Sequence, residues 1–246
     1  MNQADYDYVV VGGGAAGVFS AIQMQLGLRE YCINGKTLLL EGSRRLLTKV
    51  KISGGGRCNL THHQFDTKEL VKNYPRGHRE LLGPFSRFQV TDTVEFFESR
   101  GVKLKVEKDG RMFPSTDSSQ TVIDCLLSEA NMLAVEIRKG FMFSQIRKNE
   151  DVFEISDIKG NVITAKYVLI STGSSTKIWD HLAALGIKIV SPVPSLFTFK
   201  VQNKLLEGLA GTSFEKVKLY LELGNEVSRK SASTGKKKEK PSKFAF

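Results

Sequence analysis

The chain has 246 residues, of which 41% are apolar and 25% charged, with a formal net charge of +10. That composition suits a globular protein with a sizeable core and argues against a fibrous or wholly disordered chain. The charge does not mark a nucleic-acid face: residues 229–246 hold Arg229, Lys230, Lys236, Lys237, Lys238, Lys240 and Lys243 against Glu239, a net of +6, which leaves +4 for all the rest.

In chain order, Tyr6–Val11 (YDYVVV) predicts a short buried strand that ends in glycines, and Gly14–Leu26 a helix that opens with small residues. Lys36–Glu41 (KTLLLE) predicts a second buried strand, so the first 41 residues form a strand–helix–strand unit of a parallel sheet. Residues 42–63 look like a long glycine-bearing loop in which Lys49–Ser53 pairs briefly. Asp92–Arg100 predicts a helix with Asp92 as its N-cap, Glu95 at capping-box spacing and Gly101 as the stop. Ser119–Leu133 predicts another, with Val122, Leu126, Ala130 and Leu133 on one face. Strand-like runs follow at Val135–Arg138, Phe141–Arg147, Val152–Ser156 and Val162–Ala165, with Asp157–Asn161 as a hairpin turn. Tyr167–Ser171 predicts a further buried strand before Thr172-Gly173, and Lys177–Leu185 a short helix closed by Gly186. After Pro192 and Pro194 the composition shifts, and Leu196–Val201 and Val217–Leu223 read as strands of a separate β-rich region. Ser228–Lys243 is poor in apolar residues and reads as disordered.

The three cysteines, Cys32, Cys58 and Cys125, form no C-x-x-C pair. An odd, unpaired set argues against a disulfide framework and a dithiol redox centre, and points to a reducing cytoplasm. No zinc-ligand spacing occurs, so we expect no metal, and the neighbouring His62 and His63 read as ordinary histidines. Asp5 and Asp7 stand where a signal peptide would need positive charge, and no apolar run approaches the ~20 residues of a membrane span. We therefore expect a soluble protein with no membrane partner.

The segment Gly12-Gly13-Gly14-Ala15-Ala16-Gly17 carries the most chemistry. It is a G-x-G-x-x-G turn placed between a strand and a helix. In such a turn Gly12 allows the tight bend, Gly14 lets backbone approach a pyrophosphate, and Gly17 lets helix and strand pack closely. The helix start then offers free N–H groups and the positive end of its dipole to the phosphates. Glu41 ends the second strand 24 residues after Gly17, where a carboxylate accepts from ribose hydroxyls. The turn and Glu41 fit FAD and NAD alike; their place at the start of the chain favours FAD.

The segment Lys49-Val50-Lys51-Ile52-Ser53-Gly54-Gly55-Gly56-Arg57-Cys58-Asn59-Leu60-Thr61 resembles a signature of the YhiN/BaiN-like group of NAD(P)/FAD-dependent oxidoreductases, often called aminoacetone-oxidase-like. The twelve-residue step from Glu41 to Ser53 matches as well. Asp109–Pro114 (DGRMFP), Val168–Gly173 (VLISTG), Pro194–Leu196 and Leu209–Phe214 resemble further parts of that family. The resemblance departs at His62, where the family has Asn, and at Leu47, where Gly is common.

The resemblance implies an α/β fold: a Rossmann-like two-dinucleotide-binding FAD domain, with a parallel sheet, helices and a β-meander, over residues 1–190. The start of an inserted β-rich domain (191–228) and the basic tail (229–246) then follow. It implies FAD as cofactor, held by Gly12–Gly17, Glu41, Lys49, Ser53–Asn59, Thr172 and Gly173, with Phe143 meeting the adenine through its backbone. NAD(P)H is the implied co-substrate and a small molecule the substrate. Three glycines in a row let backbone lie against a ring or phosphate. Arg57 supplies a cation for phosphate or an anionic flavin, a structural ion pair being its alternative role. Cys58 has no sequence neighbour to activate it and reads as packing rather than redox. Family members are longer than this chain, which also leaves room for a non-catalytic nucleotide-binding remnant. An FAD-dependent RNA-modifying enzyme ranks behind both, because it calls for basic residues beside the pocket rather than in the tail.

Overall fold

A computed structural model describes residues 4–193, 207–208, 218–220 and 243–245. It divides into two units, 1–190 and 191–246. In the first unit, β1 (Tyr6–Val11), α1 (Ala15–Glu30) and β2 (Thr37–Glu41) form the expected strand–helix–strand unit. The main sheet is completed by β6 (Glu136–Lys139), β7 (Phe143–Asn149), β8 (Val152–Asp157) and β9 (Val162–Ile170), in the order β6-β2-β1-β9-β8-β7. Four neighbours run parallel: β6, β2, β1 and β9. From β9 onward, β9, β8 and β7 form an antiparallel meander.

The two strands expected at 162–165 and 167–171 are one. The first residues of β9 pair with β8 (Ile163 opposite Ile155), and its last pair with β1 (Ile170 opposite Val11). One strand thus carries both ladders and delivers Ser171 beside the end of β1.

Both faces of the central strands are buried, as parallel strands require. Val10 and Leu39 face a core built from Val18, Ala21 and Ile22 of α1 with the helices α5 (Val90–Glu98) and α6 (Ser119–Met132). Val9, Val11, Leu38 and Leu40 face the second core, with Phe141, Ile146, Ile155 and Ile163. At ~25 cal/mol per Å² of apolar surface, fully burying each of these side chains contributes ~1.5–3 kcal/mol before entropy is counted.

Three local differences have clear causes. The loop expected over 42–63 contains α2 (Thr48–Gly56), regular only as far as Ile52; Ser53 turns extended and Gly54 and Gly55 turn left-handed. The brief strand pairing expected at Lys49–Ser53 is therefore a helix, anchored by buried Val50. The N-cap of α5 lies three residues earlier than expected, at Gln89 rather than Asp92: Asp92 sits at the third helical position and accepts the Gln89 N–H at 2.7 Å. Between these lie elements with weak sequence signals. They are α3 (Thr67–Leu70), capped by Asp66, a 3-10 turn (Val71–Asn73), and α4 (His78–Phe85), with Pro84 inside it and no buried residue. A small antiparallel sheet joins β3 (Thr61–His62), β5 (Arg111–Pro114) and β4 (Leu104–Val106) in that order. Helix α7 (Thr176–Ala184) ends the first unit close to its expected bounds.

In the second unit, β10 (Lys218–Tyr220) pairs antiparallel with β11 (Lys243–Ala245). The strand expected at 217–223 is represented by β10, and β11 lies within the tail expected to be disordered. The rest of that tail and the strand expected at 196–201 lie outside the described residues.

Candidate functional site

The glycine turn is shaped by close backbone approach at two positions. Gly12 has φ +114°, and a Cβ there would stand 2.6 Å from the Ser171 carbonyl oxygen. A Cβ on Gly17 would stand 1.7 Å from the Gly12 carbonyl oxygen. These two glycines are required by the fold. Gly14 is different: its φ of −79° and ψ of −172° suit any residue, and a Cβ there meets nothing within 4 Å. The chain itself gives no steric reason for glycine at 14, which leaves the space beside it open for a ligand.

Gly14 is also the N-cap of α1 and provides no side-chain cap, and the first turn holds no acidic residue. The N–H groups that begin a helix need partners from outside it. Ala15 and Ala16 are exposed there, next to that open space. The arrangement fits an anionic group such as a pyrophosphate.

Glu41 is fixed from both sides. Its Oε2 accepts the Gly13 N–H and its Oε1 the Ser43 N–H, each at 2.7 Å. Gly13 is thus buried behind the turn, holding Glu41 in place rather than facing the open space. Gly140 and Phe141 run alongside: the Phe141 N–H donates to the Glu41 carbonyl (3.0 Å) and the Gly140 N–H to that of Ser43 (3.2 Å). The Phe143 side chain itself packs edge-on against His181, with ring centroids 5.7 Å apart.

The segment after β9 closes the turn. The Ser171 hydroxyl donates to the carbonyls of Val11 (3.0 Å) and Gly12 (3.1 Å). Thr172 N would lie 3.0 Å from a Cβ on Gly12. Gly173 is left-handed, and its carbonyl accepts the Trp179 indole N–H at 3.2 Å. Lys49 reaches over from α2: its Nζ donates to the Ser174 hydroxyl at 3.2 Å and would be 3.6 Å from a Cβ on Gly173. Among the described residues no carboxylate lies within 4 Å of Lys49. Sequence reasoning missed Ser171, whose signal was its place immediately before Thr172-Gly173, at the end of a strand that pairs with β1.

The loop Ser53–Asn59 is stitched to β5. Gly54 is left-handed, and a Cβ there would come within 2.8 Å of the Asn59 nitrogen and 3.0 Å of the Phe113 ring. Gly55 and Gly56, also left-handed, face open space. With its side-chain amide turned so that the nitrogen faces the neighbouring carbonyls, Asn59 donates to Met112 (3.2 Å) and Thr61 (2.9 Å). Arg57 is engaged by neighbouring acids and by an aromatic ring. It donates to Glu107, lies 3.6 Å from Asp117, and stacks with its guanidinium carbon 4.0 Å from the centre of the Phe113 ring. The structure therefore gives Arg57 the alternative role, an ion pair that clamps the loop to the β4–β5 hairpin. Cys58 is buried with φ +63°, and burial pushes its thiol above the ordinary value, which keeps it protonated at neutral pH. A protonated thiol is a weak nucleophile.

Ala15, Ala16, Lys49, Ser53, Cys58 and Asn59 all line one cavity of about 490 Å³, whose remaining wall comes from Phe19, Val50, Leu60, Phe88, α5 and α6. Among the described residues no group of three or more His, Cys, Asp or Glu could hold a metal ion, and no helix is long and apolar enough to cross a membrane.

The chain is 26% identical over 213 residues to a ribosomal RNA dihydrouridine synthase of Escherichia coli, covering 83% of this chain and 50% of that protein. It is 26% identical over 226 residues to a 3-dehydro-bile acid delta(4,6)-reductase of Clostridium scindens, covering 89% and 53%. The chain thus spans about half the length of the curated relatives it matches. Among solved structures, a 3-ketosteroid-delta4-(5alpha)-dehydrogenase from Rhodococcus jostii shares the fold, with a TM-score of 0.50 at 13% identity over 71% of this chain and 47% of that one. The family model described as HI0933-like protein Rossmann domain matches residues 6–235, so the chain belongs to that family, the flavoprotein group whose signature the Lys49–Thr61 segment resembles.

Proposed function

We propose that this chain binds FAD and serves as the cofactor-holding part of an oxidoreductase that reduces a carbon–carbon double bond conjugated to a carbonyl. The single observation that carries FAD binding is the open space at Gly14, which faces an uncapped helix start beside a Glu41 carboxylate fixed by two backbone N–H groups. In this reading the first turn of α1 receives the pyrophosphate and Glu41 the ribose hydroxyls. Lys49 adds a positive charge from the opposite wall. The loop Gly54–Gly56 presents bare backbone to the flavin end.

Bound flavin supplies a hydride-transferring centre, and the protein's part is to orient it and limit water. The names of the two curated relatives support the reaction type. Dihydrouridine and the product of a delta(4,6)-reductase both arise by adding two hydrogens across a double bond conjugated to a carbonyl. Such a reduction consumes one hydride and one proton per double bond, and NAD(P)H is the hydride source we assign.

The test is direct. Cofactor released from the purified chain by acid should run as FAD in chromatography, and flavin in the loaded protein should bleach on anaerobic addition of NADH or NADPH. Release of FMN alone, or a preference for NAD over FAD in titration of the cofactor-free protein, overturns the reading. A second reading, reduction of uridine in RNA, draws on the name of the Escherichia coli relative. It requires salt-dependent binding of a uridine-rich oligoribonucleotide.

A further inference from the structure

The glycine loop has little of its own to hold its shape. Gly55 and Gly56 are left-handed and face open space. Glycine loses more conformational freedom on ordering than any other residue. Backbone ties bound the segment: the Cys58 N–H donates to the Ser53 carbonyl (3.0 Å) and the Leu60 N–H to that of Met112 (2.9 Å). Within it, Arg57 reaches out to Glu107, Phe113 and Asp117, all in the β4–β5 hairpin or the turn just after it. There it enters a balanced set of charges. Glu107 accepts from Arg57 and lies 3.5 Å from Arg111, whose Nε donates to Asp109 at 2.7 Å. Asp117, 3.6 Å from Arg57, accepts from Lys105. The guanidinium carbons of Arg57 and Arg111 stand over the ring of Phe113, 4.0 and 5.4 Å from its centre, and Phe113 is fully buried. Of the three acids Glu107 has the least exposed side chain, at 27% against 45% for Asp117 and 55% for Asp109, so water screens its pair with Arg57 least.

We infer that Glu107 is a positioning residue for the flavin end of the cofactor: through Arg57 it holds the backbone of Gly54–Gly56 in the shape that meets the flavin. The inference rests on the FAD reading above. It divides the ligand between two supports. The Gly12–Gly17 turn and Glu41 serve the ADP half and make no contact with the clamp. The loop serves the flavin half and depends on it. A loop fixed before the ligand arrives binds more tightly, because the cost of ordering it is already met in the folded protein. Glu107 stands 50 residues from Arg57 in sequence, and its part in the site comes only from the folding of β4 and β5 against the loop.

The experiment titrates the full chain with FAD and, separately, with ADP, which lacks the flavin half. The wild-type chain should bind FAD more tightly than ADP. Glu107→Gln keeps the size of the side chain and removes its charge; it should weaken FAD by about fivefold while ADP affinity stays within about twofold. Arg57→Gln should do the same, and the double variant should bind FAD no more weakly than Arg57→Gln alone, because both changes break one clamp. Unchanged FAD affinity in Glu107→Gln overturns the inference. So does an equal loss of ADP and FAD, which would make the clamp a matter of folding alone. Additive losses in the double variant also overturn it, since Arg57 would then touch the cofactor itself. A wild-type chain that binds ADP but FAD no tighter leaves the glycine turn standing and refutes the role of the loop. A wild-type chain that binds neither refutes the cofactor reading, and this inference falls with it.

Discussion

Replacing Gly14 by valine separates what the fold needs from what the ligand needs. The backbone at Gly14 is extended and its Cβ direction is empty to 4 Å, so valine fits the chain without a clash. The cost to folding is that of a poorer N-cap, ~1 kcal/mol. For a domain of this size that lowers Tm by ~2–4 °C. The cost to FAD is larger, because two methyl groups would fill the space that a pyrophosphate needs against the first turn of α1. Losing two hydrogen bonds to a charged group, at ~1.5–3 kcal/mol each, weakens binding by ~10²–10⁴. Gly17→Ala makes the contrast: its Cβ would stand 1.7 Å from a backbone oxygen, which forces α1 away from β1 and costs ~3 kcal/mol or more in stability. Thermal melts and FAD fluorescence titrations of both variants are the assay. Wild-type FAD affinity in Gly14→Val, or a loss of Tm in Gly14→Val as large as in Gly17→Ala, would refute the division of labour among the glycines.

Other consequences follow from the same geometry. Glu41→Ala strands the Gly13 and Ser43 N–H groups and removes the ribose acceptor, so both Tm and FAD affinity should fall, the first by ~1–3 kcal/mol of stability; unchanged FAD affinity in titration would remove Glu41 from the site. Cys32 is exposed and Cys58 is buried with its thiol pushed up, so iodoacetamide at pH 8 should label Cys32 well before Cys58, as read by peptide mass spectrometry; faster labelling of Cys58 would mean an activated thiol. The hydrogen bond from Lys166 holds the Asp7 carboxyl below its ordinary value. A lowered folded-state value means stability that is complete above the unfolded carboxyl's ordinary pKa of 3.8 and is lost as pH falls below it. Asp7→Asn should therefore flatten the stability profile in that acid window and destabilise the protein above it, measured by denaturant titration across pH.

The fold was legible wherever one residue pattern had one solution. YDYVVV and KTLLLE are short, apolar and bounded by glycine or acid, and they could only be buried parallel strands. The tight turn at Gly12 and the close packing at Gly17 were legible for the same reason, since at each a Cβ would meet backbone. Residues 64–88 gave little signal, because α3 and α4 are short, bury little and carry a proline, so local polar contacts rather than periodicity define them. The start of α5 was misplaced because two acids at capping-box spacing outweighed Gln89, a weaker capping residue by type that wins through its reciprocal bonds with Asp92. Arg57 shows the limit for the site. Its chemistry suits a phosphate, and only the folding of β4 and β5 against the loop brings Glu107, Asp117 and Phe113 to it instead.

The single strand β9 has a mechanical meaning. Its first residues belong to the meander and its last to the parallel sheet, and Ser171 at its end locks the turn at Gly12. The meander cannot peel away without pulling on the strand that shapes the glycine turn. Opening of the two ladders is thereby joined into one cooperative event. A one-residue slip at either end would turn every later side chain of β9 to the opposite face and withdraw Ser171 from its carbonyls. Added length is tolerable in the hairpin at Asp157–Asn161, which lies beyond both ladders, and intolerable anywhere within the nine residues of β9.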